Sequence, residues 1–261
     1  MTSVWNSIPE WLKRRRVLEG RTIGFVPTMG ALHRGHASLV ERSRSENDVT
    51  VVSIFVNPSQ FNDPKDLERY PRTLDEDLRL LERLGADDVL LPGPKDLYPN
   101  GYRLRVEPVD DVPVMEAAHR PGFLQGVMTV VLKLLNLVRA DRAYFGEKDY
   151  QQLINVTAMA QEFFVPTEIV PCPTVREESG LAMSSRNMLL SPAARQKAAT
   201  LFRVLTTAAD PAQARAMLDA GGFGVDYVEE RWGRRLAAAF LDGVRLIDNI
   251  PIAPGPAEDR E

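Results

Sequence analysis

The sequence predicts an α/β fold: a doubly wound, Rossmann-like parallel sheet with a smaller C-terminal α+β lid domain. Three observations predict it. Short β-branched runs alternate with helical patterns through the first two-thirds of the chain, the apolar residues of those runs sit next to one another, and the texture changes after about Pro173. Contiguous apolar runs suit strands buried on both faces of a parallel sheet. The chain of 261 residues is long enough for one large or two unequal domains. The boundary is placed near Thr174, giving domains at 1–174 and 175–261.

Strands are expected at residues 22–26, 49–56, 88–91, 143–145 and 168–170. The helix opened by the first of these carries Leu39 and Val40 on its inner face. Thr73-Leu74-Asp75-Glu76 reads as a capping box, with Leu74, Leu78, Leu81 and Leu84 on one face and Gly85 as the C-terminal cap. Residues 125–138 are apolar nearly all round, as in a helix buried between layers, and 149–163 make a third helix. Beyond the boundary, Ser191-Pro192 and Asp210-Pro211 are each an N-cap with proline at the first helical position. Alanine-rich helices follow, with short strands at 226–229 and 244–247 and a fraying tail at 253–261.

Composition narrows the function. Hydrophobic residues at 44% and charged residues at 26% fit a folded globular protein. A net charge of −4 disfavours nucleic acid as a partner. Cys172 is the single cysteine, which excludes an intramolecular disulfide and any zinc site with two thiolates. No run approaches the roughly 20 apolar residues that span a bilayer, and the N-terminus lacks the apolar core of a signal peptide, so a cytoplasmic enzyme with no membrane partner is expected.

Two of the three histidines form His33-Arg34-Gly35-His36, after Pro27-Thr28-Met29-Gly30 at the end of the first expected strand. Open α/β sheets bind ligands at that end, and a helix N-terminus offers amides and partial positive charge to phosphate. Gly35 keeps the backbone small, so both imidazoles can approach one polyanion. Solvated loop histidines are one alternative. Zinc is another, but His119 has no ligand-spaced neighbour to complete a site. Lys148, beside Gly146 at the end of another buried strand, is a second candidate cation; alternatively it is a surface lysine.

The segment from Pro27 to His36 resembles the signature of the pantothenate synthetase (pantoate–β-alanine ligase) family of the HxGH nucleotidyltransferase superfamily. The resemblance runs on through Val52-Ser53-Ile54-Phe55-Val56-Asn57-Pro58-Ser59-Gln60-Phe61 and Tyr70-Pro71-Arg72. It resumes at Tyr144-Phe145-Gly146-Glu147-Lys148-Asp149-Tyr150-Gln151-Gln152, Pro173-Thr174-Val175-Arg176-Glu177, Met183-Ser184-Ser185-Arg186-Asn187 and Arg245-Leu246-Ile247-Asp248-Asn249-Ile250.

The resemblance implies a two-step ATP-dependent ligation. Pantoate attacks the α-phosphorus of ATP to give pantoyl adenylate and pyrophosphate. The amine of β-alanine then displaces AMP to give pantothenate. It further implies Mg²⁺ and a cytoplasmic homodimer. Bringing a carboxylate to a triphosphate requires cations and amides aimed at the oxygens, and His33, His36, Lys148 and Arg186 are the catalytic candidates. The ATP site is expected to include Met29, Gly30, Ala31, Leu32, His33, Arg34, Gly35 and His36, then Gly146, Glu147, Lys148 and Asp149, then Val175, Met183, Ser184, Ser185 and Arg186. The last four resemble the mobile loop of class I synthetases, although Ser-Ser-Arg-Asn alone is as well a helix-entry turn. Asp149 is also a possible helix cap.

The resemblance assigns pantoate to Gln60 and Gln152, and β-alanine also to the first; their amides, which both donate and accept, suit a hydroxy acid. Each could instead satisfy buried backbone. No metal ligand is identified. The chain departs from the family at Arg120-Pro121-Gly122-Phe123-Leu124, where histidine usually follows the glycine, and it looks shortened between Tyr227 and Val244. The second domain is read as a mobile lid approached through a flexible, solvated stretch at Glu177-Glu178-Ser179-Gly180; a rigid helix entry is the alternative.

Three rival functions remain: a nucleotidyl transfer to a phosphorylated acceptor, which would not need Gln60 and Gln152; a non-catalytic nucleotide-binding protein, in which His33, His36, Lys148 and Arg186 would be the first residues lost; and tRNA binding, which the charge and the missing anticodon-binding extension disfavour.

Overall fold

The computed structural model describes residues 2–109 and 114–252, so the expected fraying of 253–261 lies outside the described residues. The chain divides into two compact units, Met1–Pro173 and Thr174–Glu261. Among the described residues no helix is long and apolar enough to cross a membrane.

The first unit runs β1 (Ser3–Trp5), α1 (Ile8–Val17), β2 (Ile23–Thr28), α2 (Arg34–Glu46), β3 (Val49–Ile54), α3 (Pro64–Arg69), α4 (Leu74–Leu84) and β4 (Asp88–Leu90). It continues through α5 (Pro94–Leu97), α6 (Glu116–His119), α7 (Phe123–Val138), β5 (Arg142–Gly146), α8 (Tyr150–Glu162) and β6 (Glu168–Cys172). The six strands form one parallel sheet in the order β1-β4-β3-β2-β5-β6. From β2 the chain winds outward through β3 and β4, then returns to place β5 on the other side of β2. The topological switch point therefore lies between the carboxyl ends of β2 and β5.

Both faces of this sheet are buried, as the contiguous apolar runs require. Phe25, Val51, Ala143 and Phe145 pack with Trp11 of α1, Leu134 of α7 and Val156 of α8 on one face. Val26, Val52, Val89 and Tyr144 pack with Val40 of α2 and Leu81 of α4 on the other. Successive side chains of one strand thus feed opposite cores.

Three expectations in this unit are corrected. The short edge strand β1 is an addition. It pairs with β4, and it brings the Trp5 indole to within 2.7 Å of the fully buried Asp88 carboxylate, which Arg14 of α1 grips with two nitrogens. The capping box at Thr73 does not form: the hydroxyl donates to the Asp77 carboxylate at 3.2 Å, because that buried acid is the stronger acceptor. Leu74 is 45% exposed, while Leu78, Leu81 and Leu84 pack inward and Gly85 caps the helix as expected. Nor does Asp149 cap α8, which is preceded by a 3₁₀ turn at Glu147–Asp149; its carboxylate faces the Lys148 ammonium at 3.5 Å.

The second unit contains a 3₁₀ turn (Ser185–Leu189), α9 (Pro192–Ala198), α10 (Thr200–Thr207), α11 (Pro211–Ala220) and an antiparallel sheet of β7 (Gly224–Arg231), β8 (Arg234–Leu241) and β9 (Val244–Pro251). Ser191 and Asp210 cap α9 and α11 through the Ala194 and Gln213 amides. Alanine-rich β8 was not expected, since alanine favours helix. Its turns settle its fate. Trp232-Gly233 and Asp242-Gly243 both adopt positive φ, the two-residue hairpin geometry that joins antiparallel strands.

Candidate active site

The loop after β2 carries the histidine pair. Gly30 and Ala31 turn through left-handed backbone (φ 79° and 49°), and the chain enters α2 with His33 as N-cap. The Nδ1 of His33 accepts the Gly35 amide at 3.1 Å, and the Nδ1 of His36 accepts the His33 amide at 3.3 Å. Each ring therefore uses its lone pair on the backbone and carries its hydrogen on Nε2. The rings lie 4.1 Å apart, tilted by 32°.

Their electrostatics depart from the cationic role expected for them. Burial, followed by the Lys148 charge, lowers the His33 pKa to about 4. Burial, His33 and Lys148 together hold His36 well below the ordinary range. Near neutral pH both are thus uncharged Nε2–H donors, and the positive charge beside them belongs to Lys148 on the turn after β5. The histidines and Lys148 flank the switch point between the adjacent ends of β2 and β5.

Other expected residues take their places around this loop. Arg34 is exposed at the first position of α2. The amides of Ala31 and Leu32 point at the Asp77 carboxylate of α4, at 2.9 and 2.8 Å. Asp77 was missed in the sequence because an acid early in a helix reads as a partner for the helix dipole. A cavity of about 420 Å³ at the ends of β2, β3 and β4 reaches Met29, Gly30 and Ala31, with Phe55 and Val56 on its walls.

Gln60 ends a 3₁₀ turn (Pro58–Gln60) just beyond β3. Asn57, only 1% exposed, donates from one amide nitrogen to the Gly126 carbonyl at 3.2 Å and to the Gln60 Oε1 at 3.0 Å. With its acceptor engaged, half-buried Gln60 keeps its NH₂ group as a donor. The same turn packs on α7 at Gly126, where a Cβ would lie 2.4 Å from the Ser59 carbonyl oxygen. Arg120 donates to the Gln60 carbonyl at 3.2 Å while stacking on Phe123, the residue that replaces the usual histidine. That departure gives Arg120 an apolar face to rest on. Of the two glutamines on α8, Gln151 is buried and bonds the Glu116 amide and the Val114 carbonyl. Gln152 is half-buried, with no protein partner among the described residues.

Within the second unit, Val175 and Met183 pair across a hydrogen-bonded hairpin, and Ser184, Ser185 and Arg186 open the 3₁₀ turn that follows it. Arg176 bridges to Ala182, the Met183 amide donates to Val175 at 3.0 Å, and Gly180 (φ 90°) closes the turn on Glu177. Arg176 grips Asp248 of β9 through two nitrogens at 2.6 and 2.9 Å and stacks on Phe202. Glu177 accepts from Asn187 and binds Arg195. Ser184 caps the 3₁₀ turn through the Arg186 amide.

The fold and this cleft define a doubly wound α/β protein with a histidine-bearing loop at its switch point, the architecture of nucleotide-binding enzymes. Comparison with known proteins makes that class specific. A family model described as pantoate-beta-alanine ligase matches residues 2–251. The pantothenate synthetase of Bdellovibrio bacteriovorus is 52% identical, covering 97% of this chain and 100% of its own. That of Legionella pneumophila (strain Corby) is 47% identical over 94% of this chain and 98% of its own. Among solved structures, the Francisella tularensis pantoate-beta-alanine ligase, complexed with beta-gamma ATP and beta-alanine, superposes with a TM-score of 0.93 at 39% identity, covering 98% of this chain and 100% of that one. The pantothenate synthetase of Thermus thermophilus gives 0.89 at 42% identity, covering 97% and 100%. The chain belongs to the pantoate-beta-alanine ligase family, as its motifs led one to expect.

Proposed function

We propose that this ligase works through an acyl adenylate. A pantoate carboxylate oxygen attacks the α-phosphorus of ATP and pyrophosphate leaves. The β-alanine nitrogen then attacks the acyl carbon, the C–O bond to AMP breaks, and the amine gives up a proton as pantothenate forms. The observation that carries this reading is the pair of neutral Nε2–H donors, His33 and His36, beside the Lys148 charge at the switch point. Such a group can hold phosphate oxygens while charge builds on them. Gln60, whose oxygen is taken by Asn57 and whose NH₂ remains to donate, suits an acid rich in acceptor oxygens. Gln152 is assigned with it to pantoate. The ATP and beta-alanine named with the Francisella relative support the same ligands here.

Ser184, Ser185 and Arg186 are assigned to the triphosphate, with the second unit as a lid whose hairpin moves with the whole unit. Among the described residues no group of three or more His, Cys, Asp or Glu side chains forms a metal cage. Mg²⁺ would therefore enter with ATP, held mainly by phosphate oxygens and water. A cytoplasmic homodimer completes the reading on the strength of the family. The test is a product assay with ATP, pantoate and β-alanine, each omitted in turn. Pantothenate, AMP and pyrophosphate in equal amounts are expected; ADP and phosphate would replace the adenylate with an acyl phosphate.

A further inference from the structure

Asp77 lies 46 residues beyond Ala31, on α4, yet its carboxylate accepts three hydrogen bonds beside the histidine loop. It is 3% exposed. One carboxylate oxygen takes the Ala31 amide and the other takes the Leu32 amide and the Thr73 hydroxyl. No cation pairs with it among the described residues. Burial pushes its pKa upward, and the two amides oppose that rise. An acid in this setting is a costly way to fill space, so its bonds must accomplish something.

The backbone it holds explains what. Gly30 and Ala31 are consecutive left-handed residues, and Ala31 is a non-glycine in a region that L-residues avoid. The two amides that follow these turning residues converge on one carboxylate of the protein itself. The loop is thereby clamped to α4 on the wall of the cavity that Asp77 and Ala31 share, immediately before His33 and His36.

We propose that Asp77 is the positioning residue of the histidine loop, fixing the stacked His33 and His36 rings by holding the Ala31 and Leu32 amides. The proposal rests on the reading of those histidines as phosphate ligands, and it separates them from the two amides before them. Ala31 and Leu32 belong to the clamp, and the triphosphate is met by the imidazoles and Lys148.

The chain's three histidines make the test direct. Imidazole NMR on the full-length protein reads the pKa and tautomer of His33 and His36, with His119 as the internal reference. In Asp77→Ala the His33 pKa should climb from about 4 toward 6.5 as the loop loosens and admits water. At saturating substrates kcat should fall on the order of 10- to 100-fold, with KM for pantoate changed less than about threefold. Asp77→Asn keeps one acceptor but turns an NH₂ against the second amide, so it should show the same signature and serves if the alanine variant fails to fold. Adding Ala31→Gly, which lets the backbone hold positive φ unaided, should recover part of the lost kcat. Unaltered His33 and His36 titrations in a folded Asp77 variant would overturn the proposal, whatever happens to stability. The wild-type product assay decides the ligase mechanism separately, because the imidazole spectra report on the loop even if no pantothenate forms.

Discussion

At the scale of single residues, the site holds two imidazoles uncharged beside a lysine. Folded, His33 titrates near 4 and His36 lies well below its ordinary range, while in the unfolded chain both protonate near 6.5. Between those values the unfolded chain binds more protons, so the stability they contribute is full above about pH 6.5 and is lost as pH falls through the window. Going from pH 7.5 to 5 should cost about 2 kcal/mol for each imidazole, about 4 kcal/mol for the pair, read as a drop in the urea midpoint. Asp77, whose carboxyl is raised by burial, runs in the opposite sense. Comparison with the His33→Gln/His36→Gln double variant isolates the imidazoles: that variant should lose much less stability on acidification. The pair was legible in the sequence as a loop at the carboxyl end of a parallel strand, but its protonation state was not. Neutrality comes from burial and from Lys148, 112 residues on from His36, and neither is encoded in local spacing.

Among elements, the contact of α7 with the turn bearing Gln60 is the tightest approach near the site. Gly126→Ala would place a Cβ 2.4 Å from the Ser59 carbonyl and 2.8 Å from the Gln60 Cα, so backbone must move. We expect a loss of about 1–3 kcal/mol in stability and a rise on the order of tenfold in KM for pantoate, with KM for ATP nearly unchanged. Thermal melts and separate substrate titrations check both. The 176–187 hairpin yields another expectation. Its amides at Glu177, Gly180 and Met183 are bonded within the second unit and pinned by Arg176 to Asp248. Hydrogen exchange should find them protected in the ligand-free protein, with protection largely lost in Asp248→Ala; fast exchange in the wild type would restore a flexible approach. The buried strands and the proline-capped helices were readable because contiguous valines and Ser-Pro or Asp-Pro pairs are local signals. β8 was not, since Ala237-Ala238-Ala239 favours helix in isolation; Asp242-Gly243, a hairpin signal, was there to be weighed. Asp77, Asn57 and Gly126 act across 46, 3 and 69 residues, and only the second lies within reach of a sequence window.

For the whole molecule, the edge strand β1 has a bearing on how the chain is made. Its partner β4 begins with Asp88, 83 residues after Trp5. A nascent chain therefore carries an unpaired first strand while two strands and four helices are synthesised, and it can close the sheet only once β4 has emerged. Deleting residues 2–6 would strip the cover of Trp5 from the edge of β4 and from the Asp88 carboxylate. Such a chain should keep its histidine loop, which lies two strands away from β4, while losing Asn6 from the wall of the cavity. It should nevertheless self-associate through the bared edge, visible as light scattering that grows with concentration while wild type stays clear. β1 is thus made well before the strand it pairs with, and what it should protect is the solubility of the chain more than its chemistry.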